Sequence, residues 1–382
     1  MNFKTYSSVH TVKQEKAQRL RELTKAHERL AAINVYVQCL IGFSLYLYDH
    51  VSTPGWISLL AAIPFLITVY FLGRFLHTGA EPGQNAVSSV AGKTGGRIVF
   101  FSFFMIHILD ALTVFFALIA VIQDVMPDLS VMLSALAVCL FCAYALFSGG
   151  ENAVPRLARF LPNLILLLFL CCLLFAVPYG KAAHFFPALG YGAVSIGKGT
   201  LWICGAFSSA AWPILLPVKP SEPSVPVQLG AKAFFRCVIP LLAAVMTYCV
   251  SVWLMPVYAL ARPESMGWRM LLVTHMTPSV PAWSMEVLGL FLLLLFSLCA
   301  SVRQAAAFFS ASAGNEKKDF PAASLLLLLL FPSCLIEQPL LQRFLIRIYP
   351  WRGYAALCIL ALLCFIRLVR NGKTRKQEAE SP

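Results

Sequence analysis

The stretch Leu201-Trp-Ile-Cys-Gly-Ala-Phe-Ser-Ser-Ala-Ala-Trp-Pro213 interrupts one of the long apolar runs of this chain. Gly205 weakens a helix at this point, and the closing proline lacks a backbone N–H. Ser208 and Ser209 can bond backbone groups that a break sets free. We therefore predict a membrane span that loses helical hydrogen bonding between Gly205 and Ala211. The alternative is that the small residues only let helices pack closely.

The rest of the chain is organised as further runs of the same kind. Of its 382 residues, 59% are hydrophobic and 12% are charged, whereas soluble domains carry about 25% charged residues. A run of about 20 apolar residues is long enough to cross a membrane as a helix. We count ten runs, at 31–49, 55–74, 98–123, 129–147, 160–178, 200–217, 235–258, 283–302, 320–337 and 351–367.

Ten spans divide into two halves of five, and an odd number of spans per half inverts the second half. Inverted repeats with discontinuous helices around a central site are typical of secondary transporters. The first and sixth spans are the ones expected to break, and Gly42 lies near the middle of the first. We predict an all-α integral membrane protein of about ten transmembrane helices, with a five-plus-five inverted-repeat transporter fold.

Charge distribution predicts the orientation of the chain. The 30 Lys and Arg residues, which leave a net charge of +13, concentrate in segments that this topology places inside, as the positive-inside rule requires. The interpretation is a cytoplasmic amphipathic N-tail at 1–30, a membrane domain at 31–370 and a basic cytoplasmic C-tail at 371–382. Segment 179–199 becomes an outside loop that can act as a lid. The basic tails suit anionic lipid headgroups, and no nucleic-acid partner is expected.

His107 and Asp110 are the clearest candidates for a ligand site. They lie three residues apart on the third span and therefore share one helix face. Ionisable groups at membrane depth usually face a bundle interior or a cavity. Asp110 is expected to stay uncharged until a cationic group or His107 pairs with it, and to be the main polar determinant of ligand binding. The other role that fits is a buried polar pair that fixes helix packing.

The remaining candidates for ligand contact come from the first, sixth and eighth spans. Gln38 can donate to a substrate carboxylate or bridge helices, and Glu286 can contact a ligand or cap the start of its helix. The residues of the two predicted breaks complete the set: Gly42, Gly205, Phe207, Ser208 and Ser209. The chain shows no metal-ligand spacing, nucleophile elbow or Walker loop, so we expect neither an enzyme nor a cofactor.

Five features follow one another along the chain: Met126-Pro127-Asp128, segment 150–159 with its Gly-Glu start, segment 187–199, the acidic Glu286, and Asp319-Phe320-Pro321. In this order they resemble motifs of the spore germination permeases, the B subunits of Ger-type germinant receptors in the amino acid/polyamine/organocation transporter superfamily. The family's Phe-Pro-aromatic-Gly-Glu motif at the sixth-span break is replaced here by Phe-Ser-Ser-Ala-Ala from Phe207. The resemblance therefore implies a divergent member.

The resemblance implies a B-type subunit that senses a small nutrient, such as an amino acid, and signals to A- and C-type receptor subunits. It also implies the inner spore membrane of a sporulating organism as the location. A proton-coupled amino-acid permease is the first alternative. A structural membrane subunit that binds no ligand is the second, because the sixth-span motif is replaced.

Overall fold

The computed structural model describes eight stretches of the chain. They are 29–42, 63–77, 86–126, 128–147, 193–211, 242–247, 280–313 and 338–380, together with the single residues Leu167, Lys181, Leu215, Ile239, Cys249 and Trp253. Regular structure in these stretches is helical throughout, which agrees with the predicted all-α class.

The helices follow the apolar runs of the sequence. They are α1 Arg29–Gly42, α2 Ile63–His77, α3 Ala86–Val125, α4 Val131–Phe147, α5 Ala193–Ile203, α6 Val280–Ala313 and α7 Gln338–Glu380, and a 3-10 segment, η1 Cys204–Ala211, follows α5 directly. Within the described stretches, three segments are long and apolar enough to cross a membrane: Val87–Gln123, Gly289–Ala313 and Arg343–Asn371. The count of ten spans and the inverted repeat remain predictions.

Helices α3 and α6 form the centre of the described bundle. Phe308 of α6 is fully buried and stacks on Phe103, with ring centroids 5.4 Å apart, and on the His107 ring at 5.1 Å. Aromatic pairs of this kind add stability beyond the area that they bury. Two of the three long apolar segments are thereby fixed against each other at the level of His107.

The α-helical geometry ends where the sequence predicts a break. Helix α5 ends at Ile203, and η1 continues with the tighter 3-10 geometry over Cys204–Ala211, in which the hydrogen bonds join i and i+3. Gly205 and Gly353 allow α7 to approach this segment, because a Cβ on Gly353 would meet the Cys204 carbonyl. The second predicted break, near Gly42, falls where the described part of α1 ends.

Replacing Gly353 with alanine is expected to destabilise the protein by about 1–3 kcal/mol, because the added methyl overpacks the contact between α7 and η1. Thermal unfolding in detergent measures the loss. Gly197→Ala is the matched control, since a Cβ there meets nothing within 4 Å and alanine favours a helix by up to about 1 kcal/mol. Equal midpoints for the two variants would contradict the close approach.

Three helices begin well before the apolar runs that predict them. Helix α3 begins at Ala86, inside the segment predicted as a loop, and a turn at Gly92 with φ +75° interrupts it. Glycine adopts this left-handed conformation without strain. Helix α5 begins at Ala193, inside the predicted outside loop, and α7 begins at Gln338 rather than near residue 351. Polar side chains did not end these helices, because a helix is held by hydrogen bonds between its own backbone groups.

The far end of α7 holds the ends of two other helices. Arg367 donates to the carbonyls of Phe75 and Leu76 in the last turn of α2. Arg370 donates to the carbonyls of Ser89 and Val90, 2.8 Å away in each case, just before the Gly92 turn. Carbonyls at a helix end or break lack intrahelical partners, so arginine donors stabilise them. Helix α7 is therefore tied both to α2 and to the start of α3.

Helix α4 turns a large apolar face outward. Its most exposed large side chains are Met132, Leu133, Leu136, Leu140, Phe141 and Tyr144. A face of this composition is expected on a helix that contacts lipid.

The predicted N-tail at 1–30 lies outside the described residues except for Arg29 and Leu30, which begin α1. The predicted C-tail continues α7 as far as Glu380.

Candidate functional site

His107 and Asp110 form a buried pair on α3. Both side chains are inaccessible to solvent, and Nδ1 of His107 lies 3.1 Å from Oδ2 of Asp110. Their spacing of three residues places them on one face of the helix. They point into the protein rather than toward lipid, as the sequence predicts.

Arg352 of α7 is the charged partner of Asp110. Its Nη1 lies 2.7 Å from Oδ1 of the carboxylate and donates to Thr113 Oγ1 at 3.1 Å. Its guanidinium carbon lies 4.3 Å from the centroid of the Tyr349 ring, a cation–π arrangement. A buried carboxylate and guanidinium are each costly alone and offset each other when paired. The ion pair therefore joins α3 to α7 at the centre of the bundle.

Ser208 connects the helix break to the same carboxylate. Its Oγ lies 3.0 Å from Oδ1 and 3.1 Å from Oδ2 of Asp110, and 3.0 Å from the Gly205 carbonyl. The 3-10 geometry of η1 leaves backbone groups that a serine can bond. Asp110 thus receives a polar contact from η1 as well as from α3 and α7.

Gln38 brings α1 into the cluster. Its Nε2 donates to the backbone carbonyl of Asp110 at 3.2 Å, and its Oε1 accepts from Arg352 Nη2 at 3.3 Å. The Tyr349 hydroxyl donates to the Gln38 carbonyl at 2.5 Å. A Cβ on Gly42 would meet the Tyr349 ring. Helices α1, α3 and α7 and segment η1 therefore converge on one buried polar cluster.

Sequence reasoning missed Arg352. Its ion pair with Asp110 corrects the expectation that Asp110 lacks a permanent charged partner. The predicted tenth run, 351–367, has Arg352 as its second residue, and the charge count grouped that arginine with the outside loop before the run. The structure places it inside the apolar segment Arg343–Asn371, buried in α7. The sequence did hold a usable signal, which is a single arginine between aromatic residues and Gly353. An arginine in an apolar helix needs a charged or polar partner, and Asp110 needed such a partner as well.

Three predicted site residues are not placed in the cluster. Phe207 and Ser209 belong to η1, but their side chains lie outside the described part of the structure. Glu286 lies near the start of α6, roughly 22 residues before Phe308, which is about 33 Å along the helix axis. Since Phe308 stacks on His107, Glu286 stands far from the cluster.

A second buried polar network joins α1 to α6. Asn34 Oδ1 accepts from Ser297 at 2.5 Å and from Ser301 at 3.3 Å, while its Nδ2 donates to Ser301 Oγ at 3.1 Å and to Gln304 Oε1 at 3.4 Å. All four side chains are fully buried, and each is uncharged. Sequence reasoning did not single out Gln304, which stood among small residues at the inner end of the eighth span. Among the described residues, no group of three or more His, Cys, Asp and Glu side chains forms a metal site.

Comparison with known proteins gives a family and a fold. The profile of a family described as spore germination protein matches residues 36–257. No curated protein matches. A crystal structure of the Eremococcus coleocola manganese transporter in complex with an aromatic bis-isothiourea substituted compound is 13% identical and covers 90% of this chain and 76% of its own, with a TM-score of 0.51. A mutant of that transporter is 14% identical over the same shares, with a TM-score of 0.52.

Proposed function

Because the chain belongs to the spore germination protein family, we propose that it is a B-type subunit of a spore germinant receptor that senses a free amino acid. The family and the fold together make it a permease-type, multi-pass membrane protein. The sensing role, the ligand class and the receptor partners are the parts that we propose. The location proposed with them is the inner spore membrane, with both termini in the cytoplasm.

The observation that carries the proposal is that the charged centre at the helix break is neutralised by the chain itself. Asp110 accepts from Arg352, His107 and Ser208, so both carboxylate oxygens already have partners. A transport site releases and refills its cargo or coupling ion in each cycle. A carboxylate that an internal cation already neutralises does not need a bound cargo. This supports a sensor that a ligand shifts between two states.

Helix α7 offers a route for the signal to leave the membrane. It carries Arg352 in the centre and Arg367 and Arg370 at the end that is bonded to α2 and α3. A ligand that favours one state of the central cluster shifts the population of that state only by its differential affinity. Movement of α7 would then change the surface where A- and C-type subunits are proposed to bind.

Purified protein is expected to be stabilised by at least one of the twenty L-amino acids in a thermal unfolding assay. A ligand at 100 times its Kd adds about 2.7 kcal/mol to the free energy of unfolding, which is readily measured. If none of the twenty shifts the midpoint, the proposed amino-acid ligand is wrong, and the alternative of a structural subunit without a ligand gains support. Uptake of the stabilising amino acid into vesicles, abolished by an uncoupler, would instead identify a proton-coupled permease.

A further inference from the structure

Two buried nitrogen atoms, one on α3 and one on α6, have no hydrogen-bond partner within the described residues. They are Nε2 of His107 and Nε2 of Gln304, and both side chains are inaccessible to solvent. Buried polar groups in native proteins are bonded in the large majority of cases. Each of these atoms therefore indicates a partner that the described part of the chain does not supply.

The two residues belong to one junction of three helices. His107 of α3 stacks on Phe308 of α6, with ring centroids 5.1 Å apart and an interplanar angle of 11°. Gln304 precedes Phe308 by four residues and so lies one turn away on the same face of α6. Asn34 of α1 donates to Gln304 Oε1, and it lies one turn from Gln38, which contacts Asp110 and Arg352.

The two open positions have opposite hydrogen-bonding character. The Asp110 carboxylate can only accept, so Nδ1 of His107 donates to it, and in the tautomer that carries its proton on Nδ1 the Nε2 atom is an acceptor. Gln304 Oε1 accepts from Asn34 Nδ2 at 3.4 Å, and in this amide orientation Nε2 is a donor. The junction therefore suits a molecule that presents a hydrogen-bond donor and an acceptor together.

We propose that His107 and Gln304 recognise the two charged ends of a free α-amino acid, an inference that rests on the proposed function. The ligand ammonium donates to Nε2 of His107, and one oxygen of the ligand carboxylate accepts from Nε2 of Gln304. Asp110 acts on the ligand through His107, because its hydrogen bond holds the ring in the accepting tautomer and increases the negative potential at Nε2. Arg352 compensates the Asp110 charge and does not contact the ligand.

The test measures the half-saturating concentration of the stabilising amino acid by thermal shift in variants of the full-length protein. His107→Asn places an amide donor near the position of Nδ1 and loses Nε2, whereas His107→Gln places its amide near Nε2; both lose the ring. Gln304→Met keeps the length of the side chain and removes the donor. Gln123→Met is the matched control, because Gln123 donates to Leu129 at the far end of α3.

We expect His107→Asn and Gln304→Met to raise the half-saturating concentration at least about tenfold, with a smaller rise in His107→Gln and no change in Gln123→Met. The methyl ester and the N-trimethyl form of the same amino acid should fail to stabilise the wild type.

Equal effects of the two His107 variants, or unchanged binding in Gln304→Met, would overturn the proposed pairing with the ligand, even where the wild type still responds to the amino acid. Full binding of the ester or the N-trimethyl form would show that water fills these positions. If no amino acid stabilises the wild type, the proposed function fails before this site is tested.

Discussion

Arg352→Met is expected to lower the free energy of unfolding by about 3–5 kcal/mol, because it leaves the buried Asp110 carboxylate without its cation. The same change also removes the donors to Thr113 and Gln38. Methionine fits the volume of the arginine stem, so an empty cavity contributes little to the loss. Reversible denaturation in mixed detergent micelles measures the effect, and the yield of folded protein from membranes provides a second readout.

A double-mutant cycle separates the ion pair from the other contacts of Arg352. Asp110→Asn keeps the shape of the side chain and leaves Arg352 buried without its counter-charge. The variant that carries both Asp110→Asn and Arg352→Met has neither charge, and we expect it to recover most of the stability that either single variant loses. Additive losses, with a coupling energy near zero, would show that the two charges are stabilised independently.

The sequence predicts only one half of this pair, and the reason is physical. Asp110 stands in the middle of an apolar run, so its cost in lipid is evident and a buried role follows. Arg352 stands near the edge of its run, where an arginine is usual as an interfacial anchor. The structure shows that α7 begins before Arg352 at Gln338. Whether an arginine lies at a membrane surface or inside depends on its partner, and the partner lies on another helix.

Local chemistry predicts the helix break well, whereas helix ends are predicted poorly. Gly205 and Ser208 act on their own backbone, so η1 follows from the residues that form it. The start of α3 is different, because hydropathy marks where a chain enters lipid and not where its helix begins. The turn at Gly92 is held by Arg370 from the far end of the sequence, and a contact of this kind cannot be predicted without the fold.

The orphaned nitrogen of Gln304 illustrates the same limit at the site. From the sequence, Gln304 is a polar residue beside Arg303 at the end of a span, where solvation by water or headgroups is the ordinary expectation. It becomes notable only because Asn34 occupies its carbonyl oxygen and the surrounding helices bury the side chain. The sequence gives the polarity of a residue. Whether its hydrogen-bonding groups find partners depends on how the helices pack.

Loss of nutrient response is the second large effect that we expect, and it requires a variant that still folds. Asp110→Asn alone tests both roles at once, because the change disturbs the ion pair and the hydrogen bond to His107 together. Normal response at normal expression in this variant would remove Asp110 from the mechanism. Lost expression without a separable defect in response would support a packing role.

The double variant, Asp110→Asn with Arg352→Met, distinguishes the two roles. If the ion pair serves only packing, restoring charge balance should restore folding and response together. If the pair also holds the resting state that the ligand shifts, folding returns while the response does not. We expect the second result: expression near that of the wild type, with at least about a 100-fold rise in the nutrient concentration that triggers germination, which corresponds to about 2.7 kcal/mol. Germination of spores that carry each variant, followed against amino-acid concentration and normalised to receptor level, gives the comparison. Wild-type sensitivity in the double variant would show that the charges at the centre of this protein stabilise its fold and take no part in its signal.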